Sequence, residues 1–397
     1  MHDEDAAFTP LAGDFYGFAE ELAPRERAFL MRLRGTLERE VRPIVDRHWN
    51  DATFPPELPG ILARTGVVGL GYPETRPFEN SAVFRGWTAL ELGRVDASTG
   101  TFVGVQNGLV IGAIGICGSA EQRARWLPRL ARCETIGAFG LTEPLSGSDA
   151  AQGLRTTARR EGDEWVINGA KRWIGNADWG DIVVLWAKDE ADGQVKGFIV
   201  PTSAPGYSAR RIENKMSLRI VQNADIELRE VRVPESDRLA HAESFRDTAA
   251  VLRETRAEVA WLATGIALGA YESALRYARE RVQFGEPLAK HQMIQDHLVS
   301  CLADVTAMIA VCVKASRMLD EGVQRDEHSA LAKAFTTVRM RAVVARAREV
   351  LGGNGIVTDY GAGRAFADAE AIYSYEGTRE MNHLIVGRSI TGLAAFV

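Results

Sequence analysis

One acidic residue stands at an unusual place near the end of the chain. The stretch AIYSYEGTRE, residues 371–380, sets Glu376 between a tyrosine pair and a Gly-Thr turn, with helical sequence on both sides. A carboxylate in such a turn can accept a proton in catalysis if its surroundings raise its pKa toward the working pH. A solvated surface acid is the ordinary alternative. The remaining motifs and the elements that carry them must decide between the two.

Two further motifs could approach a flat ligand. LTEPLSGSD, residues 141–149, combines a strand end with small residues whose backbone amides and hydroxyls can hydrogen-bond a ligand at close range. A well-capped turn is the alternative. KRWIGN, residues 171–176, offers Trp173 as a wall against an aromatic ring, and the alternative is a buried core tryptophan.

Two glycine-containing helix ends could approach a phosphate or a sugar. These are RVQFGEP, residues 281–287, and LGGNG, residues 351–355, and a plain helix C-terminus also explains them. Other chemistry is not indicated, because the chain has no GxGxxG after a strand, no P-loop, no HExxH and no GxSxG. His291 and His297 are six residues apart and point to different helix faces, so we predict no metal site.

The elements that must position these motifs fall into three regions. Helical spacing of apolar residues runs from Glu26 to Trp49, with a kink or stop expected at Pro43, and continues in shorter runs to about residue 131. Short β-rich segments follow, with a hairpin predicted at Asn168-Gly169. Long helical segments return after about Ser236. We therefore predict a mainly α protein with a central β-domain: a helical domain over 1–135, the β-domain over 136–235 and a helical bundle over 236–397.

Bulk properties are those of a globular protein. The 397 residues are 46% hydrophobic and 25% charged, with a net charge of −6 and no basic run, so a nucleic-acid partner is not expected. The N-terminal MHDEDAAFTPLAGDF has neither a basic n-region nor an apolar h-region, and no run of about 18 apolar residues occurs. The four cysteines form no CxxC pair. We expect a soluble, unprocessed cytoplasmic protein without a disulfide or a zinc site and without a membrane partner.

Together the motifs resemble one family. FGLTEPLSGSD, KRWIGN, RVQFG, LGGNG and SYEGT occur in the order and at the spacing of the flavin-dependent acyl-CoA dehydrogenases, from about residue 25 onward. Within that family the chain is most similar to the branch of glutaryl-CoA dehydrogenases and plant short-chain acyl-CoA oxidases. The segments that carry this closer likeness are RVDAS (94–98), CGSAEQ (117–122), KRWIGN, VQN (221–223), YEGT and GRSITGLAAF (387–396).

The resemblance implies a fold, a cofactor and an assembly. The family has an N-terminal helical domain, a middle β-barrel-like domain and a C-terminal four-helix bundle, and its members are usually homotetramers. FAD would lie between the β-domain and the bundle. The residues expected to bind it by position are Phe139, Leu141, Thr142, Ser148 and Trp173 around the flavin, Arg281, Phe284, Gln292, Gly352 and Gly353 around the adenosine half from a neighbouring subunit, and Thr378.

The resemblance also answers the question that Glu376 raises. The glutamate of YEGT in this family removes the proton next to a thioester carbonyl while a hydride leaves the next carbon for flavin N5. Tyr375 and the acyl chain would desolvate the carboxylate and raise its pKa. The Glu376 backbone N–H would stabilise the developing enolate. The other residues expected at the substrate are Ser148, Arg256, Gly100 and Gly377, with Arg256 supporting the catalytic loop.

Three departures from the branch modify the expectation. Glutaryl-CoA dehydrogenases resemble one another in an arginine where this chain has Gly100, so a neutral short or branched acyl chain is expected instead of a glutaryl group. Gly175 replaces a threonine or serine near flavin N5, which keeps a short-chain oxidase open beside the dehydrogenase. GYPETRPFENS, residues 71–81, either reshapes the mouth of the acyl pocket or is a variable loop.

Several alternatives stay open at the level of sequence. The acyl group could be carried by CoA or by an acyl-carrier protein, because both present the same phosphopantetheine thioester. Electron-transferring flavoprotein is the partner that the family implies. A flavin monooxygenase on the same fold is disfavoured by Glu376, and a non-catalytic scaffold is disfavoured by the matching residues Thr142, Ser148, Trp173 and Arg281.

Overall fold

The computed structural model describes residues 8–395; residues 1–7 of the acidic N-terminal segment, and Phe396 and Val397 at the other end, lie outside the described part. The first region of the fold is helical, as predicted. Its helices are α1 (Pro24–Thr36), α2 (Arg42–Asp51), α3 (Leu58–Thr65), α4 (Ala82–Val95), α5 (Ala97–Gly104), α6 (Gly112–Cys117) and α7 (Ala120–Ala131).

Pro43 stands at the beginning of a helix. A π-helical turn at Leu37–Val41 joins α1 to α2, and Pro43 lies in the first turn of α2, where its missing N–H costs no intrahelical bond. Leu30, Leu33 and Val41 lie on the buried side of this pair of helices. The irregularity predicted near Pro43 is therefore present, but it lies just before the proline, and the helix continues to Asp51.

The second region is a curled seven-stranded sheet with one short helix between its first two strands. The elements are β1 (Gly137–Gly140), α8 (Ala150–Gly153), β2 (Thr157–Glu161), β3 (Glu164–Gly175), β4 (Ile182–Asp189), β5 (Val195–Pro201), β6 (Tyr207–Arg211) and β7 (Asn223–Pro234). The strand order is β1-β4-β2-β3-β7-β6, and β5 pairs with β4. Strand β4 runs parallel to β1 and β2, whereas the remaining pairs in this sheet are antiparallel.

The hairpin predicted at Asn168-Gly169 is wrong. Strand β3 continues through both residues and pairs with β7 on either side of them, with a register shift between Ile167 and Gly169. Gly169 has φ +148°, and the Asn168 Oδ1 accepts a hydrogen bond of 2.8 Å from Glu230 N. The pair therefore forms a β-bulge, which also favours glycine. The tight turn lies earlier, between β2 and β3, where Glu161 pairs with Glu164.

The third region is a helical bundle. Its elements are α9 (Phe245–Glu280), the small strands β8 (Val282–Gln283) and β9 (Glu286–Pro287), α10 (Gln292–Asp320), α11 (Asp326–Val350), α12 (Ala362–Ser374) and α13 (Arg379–Thr391). Helix α9 packs against α10 and α11 within the bundle and against α4 of the first region. The 36-residue α9 thereby connects the two helical regions through one shared core.

Two helices of the described chain are long and apolar enough to span a membrane by length and composition: residues 97–117 and α10. Their most apolar windows are 67% and 44% buried inside the fold. Core helices of globular proteins pass the same test, so the finding is weak evidence for a membrane span.

Candidate active site

Glu376 lies in a loop with unusual backbone geometry. Its φ is +51°, and Gly377 follows with φ +85°, between the end of α12 and the start of α13. A non-glycine residue in the left-handed region costs on the order of 1 kcal/mol or more, so other contacts must hold it there. One comes from Thr378, whose hydroxyl accepts a hydrogen bond of 3.3 Å from Met381 N and caps α13.

A buried lysine fastens this loop. The Lys333 ammonium donates hydrogen bonds to the carbonyl oxygens of Tyr375, Glu376 (3.1 Å) and Gly377, and the residue is only 1% exposed. Asn382 Nδ2 adds bonds to the carbonyls of Gly377 (3.0 Å) and Thr378 (2.9 Å). Three donors on one ammonium match three carbonyls that point inward, so Lys333 positions the whole loop.

The sequence analysis missed Lys333, although a signal was present. Lys333 falls on the buried stripe of α11, spaced i, i+3, i+7 and i+10 through Ala330, Lys333, Thr337 and Met340. Lysine is almost never fully buried without partners. A lysine on an otherwise apolar helix stripe therefore indicates a buried acceptor cluster, but the sequence does not say which segment supplies it.

The Glu376 carboxyl faces a small cavity between α4, α5 and α9. The lining residues are Ala89, Gly100, Thr101, Gly104, Thr255, Glu258, Val259, Leu262, Tyr375 and Glu376. Glu376 Oε2 is enclosed there without a hydrogen-bond partner. Burial raises the pKa of Glu376 above its ordinary value, while the Lys333 charge, the Thr255 hydroxyl and the Arg256 charge act in the opposite direction. The solvated-acid alternative for Glu376 is therefore wrong.

The predicted neighbours of Glu376 lie where they can act on it. Tyr375 lines the same cavity, and burial raises its pKa well above the ordinary value. Burial lowers the pKa of Arg256, and the charges of Asp326 and Glu376 oppose that shift. In the part of the chain that the structure describes, the Glu376 backbone N–H donates no hydrogen bond. A donor and a proton acceptor are thus both free at one loop.

Helix α5, which carries Gly100, is positioned by the RVD segment. Asp96 caps this helix by accepting a hydrogen bond of 2.6 Å from Thr99 N, and its other oxygen accepts one of 2.9 Å from Arg364 Nη1. The Asp96–Arg364 pair is buried, so it ties α5 firmly to α12. Helix α5 borders the cavity and α12 leads into the 375–377 loop, so this pair fixes the cavity wall and the loop relative to each other.

A second buried ion pair positions the TEP segment at the end of β1. Lys171 Nζ lies 2.9 Å from Glu143 Oε1 and 3.2 Å from the Leu141 carbonyl. Glu143 also accepts hydrogen bonds from Arg155 N (2.7 Å) and Thr156 N (2.9 Å). This network leaves Thr142 half-buried and Ser148 exposed, whereas Leu141 and Phe139 are buried, with the Phe139 ring 6.0 Å from that of Trp186. The LTEPLSGSD segment is therefore a well-capped turn and also leaves Thr142 and Ser148 accessible to a ligand.

Trp173 is not a core residue. Its side chain is 51% exposed, its φ is +66°, and its carbonyl accepts a hydrogen bond of 2.9 Å from Asn223 Nδ2. The alternative of a buried tryptophan is therefore wrong. A methyl group added at nearby Gly175 would make ordinary contacts with Val221 at 3.5 Å and Asn223 at 3.8 Å, so this strand end has room for a small side chain beside an aromatic face.

The residues predicted for an adenosine half gather elsewhere, on the surface of the bundle. Asn354 of the LGGNG turn donates a hydrogen bond of 2.9 Å to the Tyr277 hydroxyl, one turn before the end of α9. Arg281 begins the loop after α9, and Phe284 is 95% exposed with its ring 5.9 Å from that of His291. Arg281, Gln292, Gly352 and Gly353 are exposed, and none of this set lines the Glu376 cavity.

These surfaces fit a flavin dinucleotide. An exposed tryptophan face, an open glycine beside it and accessible hydroxyls at Thr142 and Ser148 suit a flat, hydrogen-bonding ring system. The exposed Gly352-Gly353 turn, with no atom within 4 Å of an added Cβ, allows close approach of a phosphate or sugar to the backbone, and Arg281 supplies a cation.

Comparisons with known proteins agree with this geometry. Three family models match: the N-terminal, middle and C-terminal domains of acyl-CoA dehydrogenase, over residues 23–134, 138–231 and 245–391. The short-chain specific acyl-CoA dehydrogenase of Mus musculus mitochondria is 32% identical over 371 residues, which cover 92% of this chain and 90% of the mouse protein.

Solved structures are similar over nearly the whole chain. A glutaryl-CoA dehydrogenase from Mycobacterium smegmatis in complex with FADH2 has a TM-score of 0.93 and 34% identity, covering 98% of this chain and all of that one. Butyryl-CoA dehydrogenase from Megasphaera elsdenii has a TM-score of 0.88 and 28% identity, covering 93% and 99%. This chain is therefore a member of the acyl-CoA dehydrogenase family, an FAD-dependent enzyme with that family's three-domain fold.

Proposed function

We propose that this enzyme converts a short or branched acyl thioester into its trans-2-enoyl thioester, with Glu376 as the base that takes the α-proton. The observation that carries the proposal is the enclosed, unpartnered Glu376 Oε2 in a small cavity whose walls include Ala89, Gly100, Val259 and Leu262. A buried carboxyl without a partner is costly. Such a group persists where a substrate supplies the missing contact.

The chain's own groups can perform the proton transfer. Burial raises the pKa of Glu376, which makes its carboxylate a stronger base, and the nearby Lys333 and Arg256 charges keep a useful fraction ionised. The free Glu376 N–H can donate to the thioester oxygen as negative charge develops on it. FAD, when bound, supplies the acceptor for the hydride that leaves the β-carbon.

The cavity favours a neutral acyl chain. A Cβ added at Gly100 would lie 2.2 Å from Leu262 Cδ1, so Leu262 occupies the space that a side chain at position 100 would need. Among the described residues, the lining contains no cation and two carboxyls, those of Glu258 and Glu376. A distal carboxylate would be buried beside two acids and without a cation to pair with, which is strongly unfavourable.

We therefore expect butyryl-CoA to be a better substrate than glutaryl-CoA. Glutaryl-CoA differs from butyryl-CoA by one terminal carboxyl group. Burying that carboxylate unpaired should lower kcat/KM by about a hundredfold or more. The measurement is bleaching of the bound FAD under argon over a panel of acyl-CoA thioesters. Tighter binding or faster bleaching with glutaryl-CoA than with butyryl-CoA would contradict the proposed specificity.

An acyl-CoA oxidase is the second candidate function, and the space at Gly175 favours it. A small side chain at position 175 would make only ordinary van der Waals contacts. Because glycine leaves that volume unfilled, a small molecule such as oxygen could occupy it. One glycine does not determine the electron acceptor, and the family relatives whose names are given above are dehydrogenases. Dehydrogenase is therefore the preferred proposal.

We expect reduced enzyme to pass electrons to a dye under argon and to release little peroxide in air. Gly175→Ser restores a hydroxyl at this strand end without a clash, so it serves as the matched variant. Peroxide formed at one equivalent per acyl thioester by the wild type, and suppressed in Gly175→Ser, would favour the oxidase instead.

We also propose a homotetramer in the cytoplasm, with electron-transferring flavoprotein as the redox partner. Large exposed apolar side chains support association of copies, because monomers rarely expose many of them. They lie on residues 282–284, on α10, on α11, on α13 and just after α13: Val282, Phe284, Met293, Val299, Leu331, Ile390 and Leu393.

A further inference from the structure

A second acid faces the Glu376 cavity. Glu258 lies on α9 with Thr255, Val259 and Leu262, at the spacing i, i+3, i+4 and i+7 that places all four on one helix face. Within residues 8–395, its carboxyl has no hydrogen bond and no ion pair. The mechanism above gives Glu258 no task, although it shares the cavity with the proposed base.

Glycines make the room for this carboxyl. A Cβ added at Gly108 would lie 2.7 Å from Glu258 Oε2, and one added at Gly104 would lie 3.8 Å from Oε1. Both glycines belong to the continuous helical stretch from α5 to α6. A side chain at Gly108 would displace the acid, so the backbone opposite Glu258 is shaped around it.

The 71–81 segment reaches the same region. The Tyr72 ring packs over Gly115 and its hydroxyl lies 3.5 Å from the position of a Cβ at Gly112. Tyr72 and Glu258 affect each other electrostatically, as do Arg85 and Glu258. The segment that departs from the branch therefore packs on the helical stretch that faces Glu258 and influences its charge, although none of its residues lines the cavity itself.

Burial favours the uncharged form of the Glu258 carboxyl. Burial raises its pKa to about 8, the charges of Glu376 and Glu254 act in the same direction, and Arg85 opposes them. A protonated carboxyl is both a donor and an acceptor of hydrogen bonds. The apolar neighbours Val259 and Leu262 satisfy neither capacity.

We propose that Glu258 recognises a hydroxyl group on the acyl chain, so that a hydroxylated short acyl thioester is preferred over the unsubstituted thioester of equal length. This inference rests on the proposed dehydrogenation and names its substrate class more narrowly. A hydroxyl can donate to and accept from a neutral carboxyl at once, which relieves the cost of leaving that group unpaired. A terminal carboxylate would meet two acids, and a terminal cation would find Glu258 largely protonated and its electrostatic field already opposed by the Arg85 charge.

The test compares butyryl-CoA with 4-hydroxybutyryl-CoA on the FAD-loaded enzyme. A site built to hydrogen-bond a hydroxyl rejects the analogue that lacks it, so we expect kcat/KM to favour the hydroxylated thioester by about tenfold or more. Glu258→Leu should reverse the preference by raising kcat/KM for butyryl-CoA and lowering it for 4-hydroxybutyryl-CoA. Glu258→Gln, which keeps a donor and an acceptor, should retain most of the preference.

Binding provides a readout that needs no turnover. Calorimetric dissociation constants for crotonyl-CoA and 4-hydroxycrotonyl-CoA should show the same order, and Glu321→Gln, at an exposed position after α10 and outside the cavity lining, should not change it. Equal affinities in the wild type, or an unchanged ratio in Glu258→Leu, would overturn the inference. A clear preference for 4-(trimethylammonio)butyryl-CoA would overturn it too, in favour of a cation.

The two proposals fail in different ways. If butyryl-CoA bleaches the flavin as well as its hydroxylated analogue does, recognition by Glu258 is wrong and the dehydrogenation stands. If no thioester bleaches the flavin, the proposed dehydrogenation is wrong, and the calorimetric ratio alone then decides whether Glu258 binds a hydroxyl.

Discussion

Replacement of Glu376 by glutamine is expected to abolish bleaching of the bound flavin by substrate. Glutamine has nearly the same shape but cannot take up the α-proton, and loss of a catalytic base costs on the order of a hundredfold to ten-thousandfold in rate. The expected loss is large because Oε2 is enclosed in the cavity and has no hydrogen-bond partner among the described residues. Stopped-flow absorbance under argon measures it.

A matched control is available four residues along the chain. Glu380 is an exposed acid in the first turn of α13, and Glu380→Gln should leave the bleaching rate near that of the wild type. The visible spectrum of bound FAD should be the same in both variants, which separates lost chemistry from lost cofactor. Bleaching at the wild-type rate in Glu376→Gln would refute the role proposed for Glu376.

Replacement of Lys333 by methionine is expected to be the second most damaging change. Methionine fills similar volume but removes the ammonium donor from three inward-facing carbonyls. The Gly377 carbonyl keeps its bond from Asn382 Nδ2, whereas each buried acceptor left unpaired costs about 1–3 kcal/mol. The loop would then relax from its positive-φ geometry. A displacement of about 1 Å at the reacting atoms can cost about a hundredfold in kcat/KM.

A pH profile separates this positioning role from general destabilisation. The proposed base must be ionised, so kcat/KM should fall tenfold per pH unit below the raised pKa of Glu376. Burial has the largest effect on the pKa of Glu376 and raises it. The Lys333 charge has the second largest effect and lowers it. Removing the charge therefore raises the pKa, and the acid limb of the profile should move to higher pH in Lys333→Met.

On the alkaline side of the wild-type profile, kcat/KM should change where Lys333 loses its charge. Burial lowers the pKa of Lys333 to about 8, with the Glu376 charge opposing the shift, so the ammonium loses its charge as the pH rises through that value. Lys314→Met, at an exposed position of α10, is the control and should change neither limb. An unshifted acid limb in Lys333→Met would contradict the electrostatic part of the argument.

Sequence patterns predicted the architecture well because its causes are local. Apolar spacing specifies the buried faces of α1, α4, α9, α10 and α11, and clusters of Gly, Pro and Asp mark where the strands end. Asn168-Gly169 shows the limit of such reasoning. The pair suits a hairpin and a bulge equally, and pairing of β3 with β7, more than 50 residues away, selects the bulge.

The order of five motifs in the sequence determined the family, and the comparisons bear that out. The same motifs pointed to Glu376, because a glutamate within YEGT is recognisable without coordinates. Only the tertiary structure revealed that Lys333 fastens this loop from 42 or more residues away and that Glu258 opens into the same cavity. Burial and charge depend on which distant segments meet, and folding alone brings α5, α9, α11 and the 375–377 loop together around one carboxyl.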